Sequence, residues 1–150
     1  MRGKILLCML VVVAALGLAY CQKGDHTKAP KHIRVKILMQ QDRSCKQVDA
    51  GSGSNADTPK LSRGNKDTIV WEQGIIAGSG PAPLIVTFPQ DKTGTPFIDN
   101  AGNPKYDFKT GDDSGPPAPS AKYGTYLYKS VQVGNFFCTN PGDPGVIIDK

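Results

Sequence analysis

The residues of this chain that are best suited to chemistry are two histidines, four cysteines and one glutamate: His26, His32, Cys8, Cys21, Cys45, Cys138 and Glu72. Catalysis by a serine or cysteine nucleophile needs a histidine that the fold can bring to that nucleophile. Both histidines lie in the polar stretch QKGDHTKAPKH, where we expect them to face solvent. The aspartates cluster in turn-like sequences such as GDDSG and PGDPG, where aspartate commonly hydrogen-bonds to nearby backbone. We therefore expect no catalytic site and no enzyme activity.

The stretch from Asp99 to Asn103, DNAGN, has the residue types that bind calcium. A calcium loop of the familiar kind places oxygen ligands at alternate positions and ends with a bidentate glutamate. Ala101 occupies one of those positions, and no glutamate follows it. Asn and Gly at this place instead favour the positive φ of a hairpin turn between PFID and KYDF. The sequence predicts a turn here and no metal site.

The first 20 residues have a short basic start, an apolar stretch and small residues near its end, a pattern typical of an export signal. The apolar run is shorter than the roughly 20 residues that a membrane-spanning helix needs. Cleavage after Ala19 would leave Tyr20 as the first mature residue. Alternatively, Leu18-Ala19-Tyr20-Cys21 resembles the lipobox of bacterial lipoproteins, in which the cysteine is acylated, although Tyr20 stands where that motif has a small residue. We expect a protein of the periplasm, or one held at the cell envelope by lipid on Cys21, with secretion as the alternative.

The net charge and the composition limit the function and the domain organisation that the rest of the chain can have. The net charge of +5 includes Arg2 and Lys4, and without them 16 basic side chains face 13 acidic ones. This excess is too small to indicate nucleic-acid binding. Residues 22–31 show no apolar periodicity and contain Gly, Pro and charges, as flexible connectors do. We predict a signal peptide at 1–20, a tether at 21–32 and one domain at 33–150, which has the usual size of a single domain.

The remaining sequence predicts strands. Ile33, Val35, Ile37 and Met39 alternate with Arg34 and Lys36, which indicates a half-buried first strand. We interpret its basic residues as the outer face of an edge strand, because edge strands commonly carry Lys and Arg; a patch that faces a membrane or a polyanion is the alternative. Further runs rich in β-branched and aromatic residues span 67–74, 82–89, 124–134 and 145–150, with 17 glycines and 12 prolines as punctuation. An all-β sandwich follows, in which loops 74–83 and 109–122 are candidate binding surfaces.

Two stretches carry a family resemblance: PKLSRGNKDTIVWEQ (59–73) and SGPPAPSAKYGTYLYKSVQV (114–133). They resemble the paired signatures of cupredoxin-like domains, in which a G-D-x-V-x-W strand packs across a sandwich against a G-x-Y-x-Y strand. The resemblance covers about residues 33–149 and implies a cupredoxin-like Greek-key β-sandwich. Trp71, Tyr126 and Tyr128 are then core candidates, because large aromatic side chains fill the roughly 10 Å between two packed sheets.

The resemblance does not extend to a copper site. Copper-binding members of the family continue Y-x-Y into a cysteine that ligates the metal, whereas this chain has Ser130 at that place. A blue-copper centre needs a thiolate and two imidazoles, usually with a weak axial thioether. The sequence after Trp71 contains neither His nor Met. We expect no cofactor and no metal ligands.

These observations favour an exported, non-catalytic and metal-free binding or structural module, whose partner is an envelope protein or polymer. The membrane would be contacted only through a lipid on Cys21. One alternative is a copper-binding electron carrier or chaperone that takes its ligands from His26, His32, Met39 and a cysteine. Another is a carbohydrate-binding module that uses exposed aromatic residues from the set Tyr106, Phe108, Tyr123 and Phe136.

The cysteines supply the last prediction. Cys8 leaves with the signal, so Cys21, Cys45 and Cys138 would remain in an oxidising compartment. In a cupredoxin-like sandwich the first and last strands tend to run side by side, which would bring Cys45 and Cys138 within the roughly 4.4–6.8 Å between Cα atoms that a disulfide requires. We predict a Cys45–Cys138 bond. The alternatives are buried free thiols or a bond between Cys21 and Cys138.

Overall fold

The computed structural model describes residues 28–91, 94–140 and 144–150. None of these residues lies in a helix, and accordingly they contain no helix that could cross a membrane. The predicted signal peptide, most of the predicted tether and Cys21 lie outside the described residues. The strands are β1 (His32–Met39), β2 (Cys45–Asp49), β3 (Lys60–Ser62), β4 (Thr68–Ile76), β5 (Gly80–Ala82), β6 (Leu84–Thr87), β7 (Asp107–Lys109), β8 (Gly124–Leu127), β9 (Ser130–Val133), β10 (Phe136–Phe137) and β11 (Gly145–Asp149).

The strands form three sheets. The first has the order β2-β1-β4-β5, with β1 and β4 parallel and the other pairs antiparallel. The second has the order β10-β9-β6-β7 and is antiparallel throughout. In the third, β11 lies between β3, to which it is parallel, and β8, to which it is antiparallel. The predicted all-β class is confirmed, and the arrangement is sandwich-like.

One apolar core joins the three sheets. Trp71 of β4 is fully buried and contacts the rings of Phe88, Phe97, Phe108 and Tyr128 at centroid distances of 4.6 to 6.4 Å. Most of these contacts are edge-to-face, the arrangement that aromatic quadrupoles favour. The core is completed by buried aliphatic residues of β1, β6, β9 and β11: Val35, Ile37, Leu84, Val86, Val131, Val133, Val146 and Ile148.

The first strand is confirmed, but it is not an edge strand. The alternation puts Val35, Ile37 and Met39 in the core, as predicted. However, β1 has β2 on one side and β4 on the other, so Arg34 and Lys36 do not protect an edge. The register between β1 and β4 shifts by one residue at Glu72, and this carboxylate forms ion pairs with both basic side chains. The basic residues therefore face the bulge of a neighbouring strand.

Three further expectations about the strands were wrong. Residues 124–134 do not form one strand, because the chain changes sheets at Tyr128 and Lys129, whose amides donate to Pro144 and Thr87. Residues 74–83 are not a loop, because they form most of the β4–β5 hairpin. The first and last strands, β1 and β11, lie in different sheets and are not neighbours.

Candidate functional site

The predicted disulfide is confirmed, although the argument for it was wrong. Cys45 and Cys138 are bonded, with their Cα atoms 5.7 Å apart and a sequence separation of 93. Because β1 and β11 are not neighbours, the bond does not join the first and last strands. Instead, it links the first residue of β2 to the residue that follows β10, and so ties the first sheet to the second. Both cysteines are buried.

The three predicted core aromatics have different environments. Trp71 and Tyr128 are buried, and the indole Nε1 of Trp71 donates to the Tyr128 hydroxyl at 3.0 Å. That hydroxyl donates in turn to Oε1 of the buried Gln47 at 2.7 Å. Burial raises the pKa of Tyr128 well above its ordinary value, so the phenol stays neutral and keeps its proton as a donor. Tyr126 is only partly buried, packs against the core and donates to the carbonyl of Lys122.

The structure does not bring together the residues of the copper alternative that it describes. His32 and Met39 occupy the two ends of β1, which at 3.2–3.4 Å per residue puts them roughly 23 Å apart. His32 Nδ1 is hydrogen-bonded to Thr68, Met39 is buried, and Cys45 is in the disulfide. Within residues 28–91, 94–140 and 144–150, no group of three or more His, Cys, Asp or Glu side chains is placed to hold a metal ion. His26 lies outside the described residues.

The aromatic residues of the carbohydrate alternative separate into two classes. Phe108 is fully buried, and Tyr106 is partly buried against the core. Tyr123 and Phe136 are exposed, with 50% and 43% of their surface accessible. These two residues lie in different places, because Tyr123 precedes β8 of the third sheet and Phe136 begins β10 of the second. Phe136 lines a concave surface of about 330 Å³, and Tyr123 lines a larger one.

That surface is an open groove of about 590 Å³, which we call the Tyr123 groove. Its volume lies within the range of small-molecule sites. Three segments far apart in sequence form it: the turn between β3 and β4, the turn at 98–100, and the Pro-rich loop that precedes β8. Its walls are mainly apolar, with polar and charged groups at intervals; they comprise Arg63, Gly64, Lys66, Ile98, Asp99, Asn100, Gly115, Pro116, Pro117, Pro119 and Tyr123.

Arg63 holds the Pro-rich loop in place. Its Nη1 donates to the carbonyls of Pro119 at 3.0 Å and Ala121 at 2.5 Å, and its Nη2 donates to the hydroxyl of Tyr123. The guanidinium also lies over the Tyr123 ring, 4.3 Å from its centroid. Such a cation–π contact adds about 0.5–1 kcal/mol at an exposed site. One side chain thus fixes both the ring and the loop that carries it.

The turn that carries Arg63 is itself anchored by a buried carboxylate. Asp67 accepts a hydrogen bond from the amide of Lys31 at 2.8 Å and another from that of Ser62 at 2.9 Å. Lys66, just before it, is the exposed last residue of the Arg63–Lys66 turn; it has a φ of 60°, and its amide donates to the carbonyl of Arg63 at 3.2 Å. The turn is therefore tied to the residue that precedes β1 and to the last residue of β3, and it forms a fixed wall of the groove.

A second wall is the turn predicted between PFID and KYDF, and this prediction is confirmed. Oδ1 of Asp99 accepts from the amides of Ala101 at 2.9 Å and Asn103 at 2.8 Å, and Gly102 takes the positive φ of 84°. The amide of Asn103 is the main reason that the pKa of Asp99 lies below its ordinary value of 3.8. Asp99 is accordingly ionised at neutral pH, and its Oδ1 is used by its own turn.

Sequence reasoning identified only part of this groove. It singled out loop 109–122, Tyr123 and the turn from Asp99 to Asn103, but it assigned no role in a site to Arg63, Lys66 or Ile98. The contacts of Arg63 lie 56 to 60 residues away in sequence, and no local pattern indicates them. No protein-family model, curated protein or solved structure matches this chain. Its function is therefore inferred from its own residues.

Proposed function

We propose that this chain is an exported, non-catalytic binding module with a cupredoxin-like fold, and that its partner occupies the Tyr123 groove. The observation that carries the proposal is the bracing of an exposed aromatic ring by Arg63 in an open, largely apolar groove. Ligand sites typically combine apolar walls with a few fixed polar groups. A ring that is held in place before binding loses little conformational entropy when a ligand packs on it.

Two features support the cupredoxin-like part of the proposal. The two stretches that carry the resemblance meet in space, since Trp71 of the first contacts Tyr128 of the second. Ser130, at the place of the copper-ligating cysteine, begins β9 and pairs with Thr87 of β6. The segment that follows it is the β9–β10 pair, which the disulfide from Cys138 joins to Cys45 of β2.

Export is supported by the disulfide, because disulfides persist mainly in oxidising compartments. Fractionation of the producing cells, followed by intact-mass measurement of the purified protein, tests this part. We expect the protein in the envelope or periplasmic fraction, without the first 19 or 20 residues and with Cys45 and Cys138 oxidised. Added mass on Cys21 would identify the lipid-anchored form. A cytoplasmic protein that keeps residues 1–20 would contradict the proposal.

The binding role is tested with an array of envelope polysaccharides, peptidoglycan fragments and peptides. Tyr123→Ala removes the exposed ring of the groove, and Phe136→Ala is the matched control because it removes an exposed ring elsewhere. We expect at least one class of ligand to bind the wild type and the Phe136→Ala variant but not the Tyr123→Ala variant. If a ligand still binds the Tyr123→Ala variant but not the Phe136→Ala variant, its site lies at β10, which would contradict the assignment to the groove.

A further inference from the structure

Two cationic side chains line the Tyr123 groove, those of Arg63 and Lys66, and neither forms an ion pair with a carboxylate of the described residues. The ion pairs found within the described ranges are Arg34–Glu72, Lys36–Glu72 and Lys105–Asp112, and none of them involves the groove. Arg63 donates only to two carbonyls and a phenol, which are uncharged acceptors. Lys66 is exposed at the end of its turn. The two cations are therefore available to a ligand of opposite charge.

Asp99 is the acidic side chain that lines the groove, and it reduces this positive charge without cancelling it. Its Oδ1 accepts hydrogen bonds from two backbone amides of the 99–103 turn, and its Oδ2 lies 3.5 Å from the side-chain Nδ2 of Asn103. The carboxylate is thus directed at its own turn. Two cations against one such anion leave an excess of positive charge among the lining residues, which favours an anionic ligand.

The apolar part of the groove restricts the shape of that ligand. Half of the surface of Tyr123 stays accessible although Arg63 covers part of the ring, and Pro116, Pro119 and Ile98 extend the apolar surface. Asn100, which is exposed at the margin, offers an amide that can both donate and accept hydrogen bonds. The groove thus combines an apolar platform, a neutral hydrogen-bonding group and unpaired cations.

We propose that the Tyr123 groove binds an acidic saccharide, in which a sugar ring packs on Tyr123 and a carboxylate pairs with Lys66 and Arg63. A carboxylate suits these residues because charge-assisted hydrogen bonds from Arg and Lys are among the strongest in proteins. The hydroxyl groups of the sugar would hydrogen-bond to Asn100 and to water. This inference rests on the proposed binding function and names its ligand class.

The test compares tetragalacturonate with the neutral tetrasaccharide maltotetraose by isothermal titration calorimetry on the mature protein. We expect tetragalacturonate to bind at least about tenfold more tightly, and its affinity to fall severalfold between low salt and 0.5 M NaCl because exposed charges are screened. Equal affinity for the two tetrasaccharides, or affinity for the acidic one that does not change with salt, would overturn the proposal.

Two pairs of variants locate the interaction. Lys66→Gln removes a cation of the groove, whereas Lys60→Gln removes an exposed lysine of β3 outside it. We expect the first to weaken tetragalacturonate binding about threefold to tenfold and the second to change it less than twofold. Tyr123→Ala should abolish binding, while Tyr123→Phe, which keeps the ring, should retain it. Equal effects of the two lysine variants would contradict the proposal.

The failure of this inference can be distinguished from the failure of the proposed function. A neutral glycan or a peptide whose binding depends on Tyr123 would overturn the acidic saccharide and leave the binding module in place. Absence of any ligand that depends on Tyr123, in protein that circular dichroism shows to be folded, would count against both.

Discussion

The hydroxyl of Tyr128 accepts a hydrogen bond from the indole of Trp71 and donates one to the side chain of Gln47, all within the core. Gln47 in turn donates from Nε2 to the carbonyls of Ala56 and Gly145. This chain of bonds connects β4, β2 and the start of β11 through one phenol. These bonds give hydrogen-bonding partners to Trp71 Nε1, the Tyr128 hydroxyl and Gln47 Oε1, which are buried in the core and would otherwise have none there.

Tyr128→Phe should therefore destabilise the protein although it keeps the ring. It leaves Nε1 of Trp71 and Oε1 of Gln47 buried without partners, and each such group costs about 1–3 kcal/mol. Tyr126→Phe is the control, because its hydroxyl is exposed and donates only to Lys122, so we expect a change below about 0.5 kcal/mol. Urea denaturation measures both free energies of unfolding. Equal values for the two variants would contradict the role given to the Tyr128 hydroxyl.

The disulfide should contribute a large share of the stability. It closes a loop with a sequence separation of 93 residues, for which the chain-entropy model gives on the order of 4 kcal/mol. We expect the Cys45→Ala/Cys138→Ala double variant to lose about 2–5 kcal/mol in urea denaturation. Unchanged stability of the double variant would show that the bond does not restrict the unfolded chain as supposed.

Gly74 should not tolerate a side chain, because β4 and β9 approach each other closely there. A Cβ at Gly74 would lie 2.3 Å from Cγ1 of Val133, a distance that forces either the Val133 side chain or one of the strands to shift. We expect Gly74→Ala to cost about 1–3 kcal/mol or more. Gly51→Ala is the control, since its nearest neighbour would be an ordinary 3.5 Å away.

A second variant tests whether the close approach of the strands is the cause. Val133→Ala removes the atom that the new Cβ would meet, so in the Gly74→Ala/Val133→Ala protein the two effects should not add. Strict additivity in urea denaturation would contradict the close packing of β4 against β9.

Stability should fall in acid because of three turn aspartates. Hydrogen bonds from Ser44, Ser52 and Asn103 lower the pKa values of Asp42, Asp49 and Asp99, respectively, below 3.8. A lowered pKa in the folded state contributes stability that is present above the unfolded pKa and is lost as the pH falls through the folded pKa. We expect the free energy of unfolding to drop as the pH falls below about 4, and NMR titration midpoints of the three carboxyl groups below 3.8. Midpoints at or above 3.8 would contradict the assigned hydrogen bonds.

Periodicity predicted the parts of the fold that depend on local sequence. The alternation from Ile33 to Met39 places three residues in the core as expected, and the Asn/Gly turn after Asp99 follows from local backbone preferences. The change of sheet at Tyr128 could not be predicted in the same way, because the acceptors that divide β8 from β9 belong to Thr87 and Pro144. Residues 124–127 and 130–133 both have the residue types of a strand, and only hydrogen bonds to distant residues show that they belong to two different sheets.

In the candidate site, too, some features could be predicted from local sequence and others depend on residues far away in the chain. Tyr123 and the Pro-rich loop stand out in the sequence by composition, and the cysteines stand out by their number. Arg63 does not, because its role depends on bonds to Pro119, Ala121 and Tyr123, which the fold alone brings near. Short strands such as β5 and β10 are missed because two or three residues cannot show a period.

The most direct test of the account is to locate the bound ligand by ¹H–¹⁵N NMR of the mature protein titrated with tetragalacturonate. We expect chemical-shift changes concentrated at the backbone amides of the groove, namely those of Gly64, Lys66, Asn100, Gly115 and Tyr123, with the amides of Phe136 and Phe137 unchanged. Shifts centred on Phe136 and Phe137, or no shifts at millimolar ligand, would contradict the assignment of function to the Tyr123 groove.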